Sequence, residues 1–223
     1  EVNLLIKDGE KFSKDAKILE ISGPSRSLLA SERICLNIAM HLSGISTYTY
    51  KLVSKLKGTN IKLADTRKTT PGLRIFEKYA FRCGGGINHR MGLYDAAMIK
   101  ENHIAWSNNL YDAVKKIRFN TPFTTHIIIE AENLNQAKEA LMAGADSLLL
   151  DEFDQKTLKN SINELRQLSK KFFHEGNRKK LIIEVSGINP NEIDTYLIDG
   201  IDYISTSSSI TKSNWIDLSM RYY

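Results

Sequence analysis

Between positions 65 and 103 the chain gathers the residue types that bind and transform small anions. Asp65-Thr66-Arg67-Lys68-Thr69-Thr70-Pro71-Gly72 is followed by Gly84-Gly85-Gly86, by Asn88-His89-Arg90 and by Lys100-Glu101-Asn102-His103. From 61 to 103 there are eight Lys/Arg against four Asp/Glu, so this stretch carries +4 of the chain's formal +5. Guanidinium forks match carboxylates and phosphates bidentately, and glycines let backbone amides approach a bound anion closely. Cations set among glycines and short apolar runs point to an anion pocket more than to a solvated charged face. Two later carboxylates, Glu130 and Asp151, have two readings. They can neutralise a lysine such as Lys100, or they can hold Mg²⁺ shared with a phosphate-bearing ligand, because magnesium usually takes one or two protein carboxylates plus phosphate and water.

The elements that must position these residues are legible from residue 60 onward. Six short apolar runs, at 61–64, 96–99, 127–129, 147–150, 181–185 and 203–205, have the length and β-branched content of strands buried on both faces. Amphipathic stripes lie between them: Leu110/Ala113/Val114/Ile117, Leu134/Ala137/Leu141, Leu158/Ile162/Leu165 and Ile193/Tyr196/Leu197. The last has a capping Asn189, Pro190 at the first helical position and Glu192 three residues after the cap. Gly144 and Gly200 each close a helix before the next strand. Repeated β-then-α with parallel strands means an open doubly wound sheet or a barrel.

In a barrel, residues at the C-terminal ends of the strands face the mouth where chemistry occurs. Here those are Asp65 with Thr66-Arg67-Lys68, then Lys100, Glu130, Asp151, Ser186-Gly187 and Ser207-Ser208-Ser209. A buried strand ending in Lys100 needs a partner. The serine and glycine turns after the last two strands suit a phosphate seated on backbone amides.

Upstream, 28–42 reads as a helix with Leu29, Ile34, Leu36, Ile38 and Ala39 supplying apolar cover, Gly44 interrupts it, and 46–57 reads as a second. The first 24 residues alternate around Asp8-Gly9 like a small β-rich unit. It is similar to half of a lipoyl-type sandwich, without an acceptor lysine in its turn. A unit this small cannot close a core, so further chain is expected before Glu1. The division expected is a remnant N-terminal unit at 1–27, connecting helices at 28–58, a barrel at 59–206 and a C-terminal segment at 207–223.

Composition sets the outer bounds. At 223 residues and 42% hydrophobic, the chain suits one globular domain with a sizeable core. No apolar run approaches the ~18–20 residues of a membrane span, and Glu1-Val2-Asn3 does not begin a signal peptide. Cys35 and Cys83 lack metal-type spacing and read as buried small hydrophobes in a reducing cytoplasm. Nucleic-acid surfaces spread their basic residues along a face with aromatic platforms. The basic excess here is local and flanked by glycine, which argues against that partner.

Taken together, these segments resemble the quinolinate phosphoribosyltransferase family. The resemblance runs from about Glu1 to Arg221. It rests on Ser31-Glu32-Arg33 with Asn37, His41-Leu42-Ser43-Gly44-Ile45, the 65–74 segment, Gly84-Gly85-Gly86 with Asn88-His89-Arg90, Ile99-Lys100, Asn102-His103, Glu130, Leu150-Asp151, Glu184-x-Ser186-Gly187 and Asp202-Tyr203-Ile204-Ser205. It implies an α/β fold: an incomplete TIM-like six-stranded α/β barrel beside an N-terminal α/β sandwich, partial in this chain. It implies a homodimer with shared sites, in the cytoplasm. The implied reaction joins quinolinate to 5-phosphoribosyl-1-pyrophosphate, releasing pyrophosphate and CO₂ and leaving nicotinate mononucleotide, with Mg²⁺ as cofactor.

By the same resemblance, Thr66, Arg67, Lys68, His89, Arg90 and Lys100 line the quinolinate site, with Arg33 reaching in from the neighbouring subunit. Glu130 and Asp151 organise Mg²⁺ and the ribose. Lys68, Lys100, Glu130 and Asp151 are the expected catalytic groups, and Ser186, Gly187, Ser207 and Ser208 the expected phosphate site. The chain departs from the family pattern at Ser186-Gly187-Ile188, where Ser-Gly-Gly is usual. It departs again at Ser207-Ser208-Ser209-Ile210-Thr211-Lys212, where a Gly-Ala-Leu-Thr-His turn is usual, at Glu101 and at Glu152. The 5-phosphate is therefore expected to use serine hydroxyls and Lys212. Two alternatives stand beside this reading: a related transferase for another heteroaromatic acid, and a non-enzymatic polyanion binder.

Overall fold

The structure is a computed structural model and describes residues 1–104, 106–107, 109–174 and 180–223. Strands β1 (Val2–Leu4) and β2 (Leu19–Ile21) form an antiparallel pair in which Val2 faces Ile21. The long helix α1 (Ser25–Lys55) then leads into β3 (Lys62–Ala64) and α2 (Arg74–Cys83). Next come β4 (Ala96–Ile99), α3 (Glu101–Ile104), α4 (Leu110–Asn120), β5 (His126–Ala131) and α5 (Leu134–Ala143). The chain continues with β6 (Ser147–Asp151), α6 (Gln155–His174), β7 (Ile182–Ser186), a 3-10 segment over Pro190–Tyr196, β8 (Tyr203–Ser205) and α7 (Ser208–Thr211).

Each of the six apolar runs is a strand, and together they make one parallel sheet in the order β3-β8-β7-β6-β5-β4. The sheet curls into an incomplete barrel whose seam lies between β3 and β4. There Ile87 substitutes for a strand: its amide donates to the Leu63 carbonyl, and its own carbonyl accepts from the Asp65 amide.

Strand side chains alternate with period two, and the two faces bury different things. Ile127, Ile129, Leu148, Leu150, Ile183 and Val185 pack outward, in one core with Leu158, Ile162 and Leu165 of α6. Ala96, Met98, Ile128 and Leu149 form a separate cluster on the inner face of the sheet. This alternation puts Lys100, Glu130 and Asp151 in phase with the barrel interior, at its upper end. Ser186 is likewise in phase with Glu184 and Ile182.

Four local expectations are corrected. Gly44 does not interrupt the helix, because α1 runs through it. A Cβ at Gly44 would stand 2.2 Å from the Asn214 carbonyl oxygen, so glycine is needed there for the C-terminal segment to pack on α1. Asn189 caps as expected, accepting from the Asn191 amide, but Glu192 leaves helical geometry (φ −106°, ψ 17°) and the segment is a 3-10 helix. Gly144 does close α5 in left-handed geometry, with φ 98°. Cys35 is exposed on α1 and Cys83 only half-buried, so neither is a core residue. Leu29, Ile34 and Ile38, expected as apolar cover on the same helix, are 62%, 65% and 45% exposed.

Candidate active site

The turn after β3 is built on Asp65, which does not face the barrel mouth as its position at a strand end suggested. It is fully buried beside Lys78, whose Nζ lies 2.5 Å from Asp65 Oδ1 and also donates to the His89 carbonyl at 2.8 Å. Asp65 further accepts from the His89 amide at 2.7 Å and from Asn88 Nδ2 at 2.6 Å. Burial pushes the Asp65 carboxyl up from its ordinary value, while Lys78, the His89 amide and Asn88 all pull it down. A buried charge of this kind persists only when its hydrogen-bonding capacity is met. Its role is therefore to set the backbone of Asn88-His89-Arg90 against the turn that carries Arg67 and Lys68.

Glu77 makes a second buried joint. Its two oxygens contact His41 Nε2 on α1 and the Thr70 amide, each at 2.8 Å. The loop is thus tied to the helix beneath it, and His41 in turn packs against Trp215.

Upon this scaffold the two predicted cations are free. Arg67 and Lys68 are exposed, and their side chains make no hydrogen bond or ion pair among the described residues. Arg90 is half-buried and crosses the barrel seam, donating through NH1 to the Ala96 carbonyl at 2.7 Å. Burial and the proximity of Arg67 push its guanidinium down from its ordinary value, with Asp95 opposing. Two like charges held within reach of each other are the expected electrostatics of a site built for an anion.

His89 is engaged at both ring nitrogens. Nδ1 accepts the Arg90 amide at 2.7 Å, and Nε2 lies 3.3 Å from the buried carboxylate of Glu184. An accepting Nδ1 leaves the ring proton on Nε2, the tautomer suited to Glu184. The sequence alone marks Glu184 only as part of the Glu184-x-Ser186-Gly187 motif. Its signal was available, since it lies two residues before Ser186 and so shares its face of β7. His89, Arg90 and Glu184 line a cavity of about 320 Å³ inside the barrel, with Ile128, Ser147 and Tyr203 among the other walls.

Lys100 follows β4 directly, and its Nζ is paired with Glu130 of β5. The neutralising reading of Glu130 therefore describes this state of the site. Asp151, the last residue of β6, is half-buried and makes no side-chain hydrogen bond among the described residues. Gly187 closes the gap beside it at φ 71°. A Cβ there would stand 2.8 Å from Glu152 Cγ and 3.1 Å from Asp151 Oδ1, so only glycine fits.

Ser186 is half-buried and Gly187 exposed at the same rim. Ser207 is half-buried at the start of α7, whereas Ser208 is buried and its hydroxyl is shared with Thr206 at 2.8 Å. Thr66 is half-buried and accepts from the Lys68 amide at 3.0 Å. Arg33 is exposed on α1, with no side-chain partner among the described residues.

Among the described residues, no group of three His, Cys, Asp or Glu side chains converges as a ready-made metal cage. The pair Glu130 and Asp151, on adjacent strands, fits a hard cation whose remaining ligands are phosphate oxygens and water.

Comparison with known proteins agrees with this geometry. Residues 45–221 match the quinolinate phosphoribosyl transferase C-terminal domain family, and residues 1–43 match its N-terminal domain family. A relative from Methanothermobacter thermautotrophicus, described as a probable nicotinate-nucleotide pyrophosphorylase (carboxylating), is 39% identical over 216 residues, covering 96% of this chain and 75% of that protein. A relative of the same description from Bacillus subtilis is 39% identical over 215 residues, covering 96% and 70%. The crystal structure of NadC from Streptococcus pyogenes superposes with a TM-score of 0.87 at 38% identity, covering all of this chain and 75% of that one.

Proposed function

The chain belongs to the quinolinate phosphoribosyltransferase family, and from that premise we propose how its own residues carry the reaction. The reaction transfers the phosphoribosyl group of 5-phosphoribosyl-1-pyrophosphate to quinolinate, releases pyrophosphate and CO₂, and leaves nicotinate mononucleotide for NAD biosynthesis. One observation carries the assignment of roles. Lys100, Glu130, Asp151 and Ser186 share the inward phase of their strands at the upper end of the barrel, and the turn after β3 adds two cations, Arg67 and Lys68, with no side-chain partner among the described residues.

Quinolinate is a planar dianion with adjacent carboxylates. In this reading Arg67, Lys68 and Arg90 take those carboxylates, and Lys100 lies below the ring. At about 1.5–3 kcal/mol for each hydrogen bond to a charged group, two or three such contacts contribute about 3–9 kcal/mol toward holding the dianion. His89 acts mainly from behind, through its contact with the Arg90 amide. Binding orients the ring nitrogen toward the anomeric carbon of the sugar. The nitrogen lone pair forms the new C–N bond as the C–O bond to pyrophosphate breaks.

Glu130 and Asp151 face the positive charge that develops on the ribose in that step. Glu130 and Asp151 would hold Mg²⁺, which would supply positive charge to screen the pyrophosphate leaving group. Ser186, Gly187 and Ser207 border the region assigned to the 5-phosphate, with Ser208 lending its backbone. After glycosylation the C–C bond to the carboxylate beside the ring nitrogen breaks. CO₂ leaves, and the electron pair stays on the ring carbon, stabilised by the adjacent pyridinium until it takes a proton. The cations must therefore hold this carboxylate without fully neutralising it.

Arg33 is assigned to the site of a second copy, with the exposed Leu29, Ile34 and Ile38 on the same helix in the contact between subunits. Mixing full-length Arg33→Ala and Lys68→Ala subunits should restore part of the activity in verified heterodimers. No recovery there would place the whole site within one chain. The primary test is formation of nicotinate mononucleotide and CO₂ from the two substrates by the full-length enzyme. Turnover of nicotinate in place of quinolinate, without CO₂, would reassign the acceptor.

A further inference from the structure

Arg74 opens helix α2, where a cation opposes the helix dipole and an acidic residue would be favoured. Its place there needs a tertiary reason, and its guanidinium supplies one. Nε donates to Thr69 Oγ1 at 3.0 Å, NH2 to the Arg67 carbonyl at 3.2 Å and NH1 to the Met91 carbonyl at 3.0 Å. The first two partners belong to the loop that presents Arg67 and Lys68. The third directly follows Arg90. Asp65 already joins these two loops at their roots through the His89 amide. Arg74 joins them at their tips.

We infer that Arg74 is a positioning residue: a three-point staple that sets the spacing between the Arg67-Lys68 loop and Arg90, and with it the preference for two adjacent carboxylates over one. This rests on the reading of those cations as the quinolinate pocket. Arg90 is lowered in pKa first by burial and then by the nearby Arg67, so like charge acts between the two loops and a fixed tie is needed to hold their spacing. A planar fork with several fixed donors holds three acceptors at once. A lysine ammonium presents donors from a single point and cannot span the same three. A monocarboxylate needs only one cation in place, whereas vicinal carboxylates need two at a defined separation. Loosening the staple therefore costs the dicarboxylate more.

The experiment uses the full-length enzyme and compares Arg74→Met and Arg74→Lys with wild type. The measurements are KM for each substrate, and inhibition by phthalate and by benzoate as non-reacting di- and monocarboxylate probes. For both variants KM for quinolinate should rise roughly tenfold or more, the equivalent of one lost charge-assisted hydrogen bond. KM for the phosphoribosyl donor should stay within about twofold, and the preference for phthalate over benzoate should shrink by a similar factor to the quinolinate effect. Thr69→Ala removes one of the three acceptors and should give a smaller change in the same direction, which keeps the test informative if Arg74→Met does not fold.

Arg90→Ala separates the two layers of the argument. Wild-type quinolinate KM in Arg90→Ala would overturn the pocket itself. A raised KM in Arg90→Ala, with unchanged quinolinate KM and unchanged phthalate preference in the Arg74 variants, would overturn the staple alone. Loss of Tm with both substrates affected equally would also overturn it, since that is the behaviour of a purely structural residue.

Discussion

The two ends of the barrel use the same residue types in opposite ways. At the lower end, where strands begin, the charges form closed clasps. Arg118 of α4 donates to the Thr125 and Gly144 carbonyls and pairs with Asp146, and that carboxylate accepts from the amide of Ile127, the second residue of β5. The arrangement recurs further along the chain. Arg166 of α6 donates to the Leu181 and Gly200 carbonyls and pairs with Asp202, which accepts from the Ile183 amide of β7. Both clasps sit on a Gly-x-Asp step before a strand. At the upper end Arg67, Lys68 and Asp151 have no side-chain partner among the described residues. The difference teaches where to look for binding: Arg118 and Arg166, met inside the chain, build, whereas Arg67, Lys68 and Asp151, left unmet at the rim, are available to a ligand.

The largest expected effect lies just beneath the rim. Lys78→Met leaves Asp65 charged and buried without its counter-ion, which should destabilise the protein by about 3–5 kcal/mol. Denaturant unfolding checks this, and the double variant Lys78→Met with Asp65→Asn should recover part of the loss. Next, Lys68→Ala should weaken quinolinate binding by about 1.5–3 kcal/mol, or roughly ten- to a hundredfold, with stability inside about 0.5 kcal/mol of wild type. A calorimetric titration with an unchanged Kd would erase the distinction between the two ends.

Arg166→Ala tests the converse, with an expected loss of about 1–3 kcal/mol in stability and an unaltered quinolinate KM. The smallest effect concerns acid. Burial alone would raise the Asp202 carboxyl, but Lys180, the Ile183 amide and Arg166 together hold it below its ordinary value. A carboxyl depressed in the folded state contributes stability above its unfolded pKa, and that stability is lost as pH falls through the folded value. Asp202→Asn should therefore lower stability near neutrality and flatten its fall below about pH 4. Parallel melting curves for variant and wild type across that range would show that the clasp is not linked to protons.

Much of the barrel could be read from local pattern, and the limits of that reading are particular. Runs such as 147–150 could be recognised because a strand covered on both faces has to be continuously apolar. The inward direction of Lys100, Glu130 and Asp151 follows from period two once the strand is placed. Asp65 shows where such reasoning stops. It too stands at a strand end, yet Lys78 reaches it from the next helix and turns it into scaffold. The chain at Gly44 could not be read as continuous helix, because the segment that passes over it lies some 170 residues later.

By itself, then, the amino-acid order determined the repeating β-α units, the cations and carboxylates that end them, and the family to which they belong. Only the tertiary structure decided which charges were consumed within the chain: Lys78 by Asp65, Glu77 by His41 and Thr70, and Arg74 by three acceptors on two loops. The reason is physical. Periodicity is set by neighbouring residues on one element, whereas desolvation and hydrogen-bond satisfaction depend on whatever distant segment the fold brings within about 3 Å.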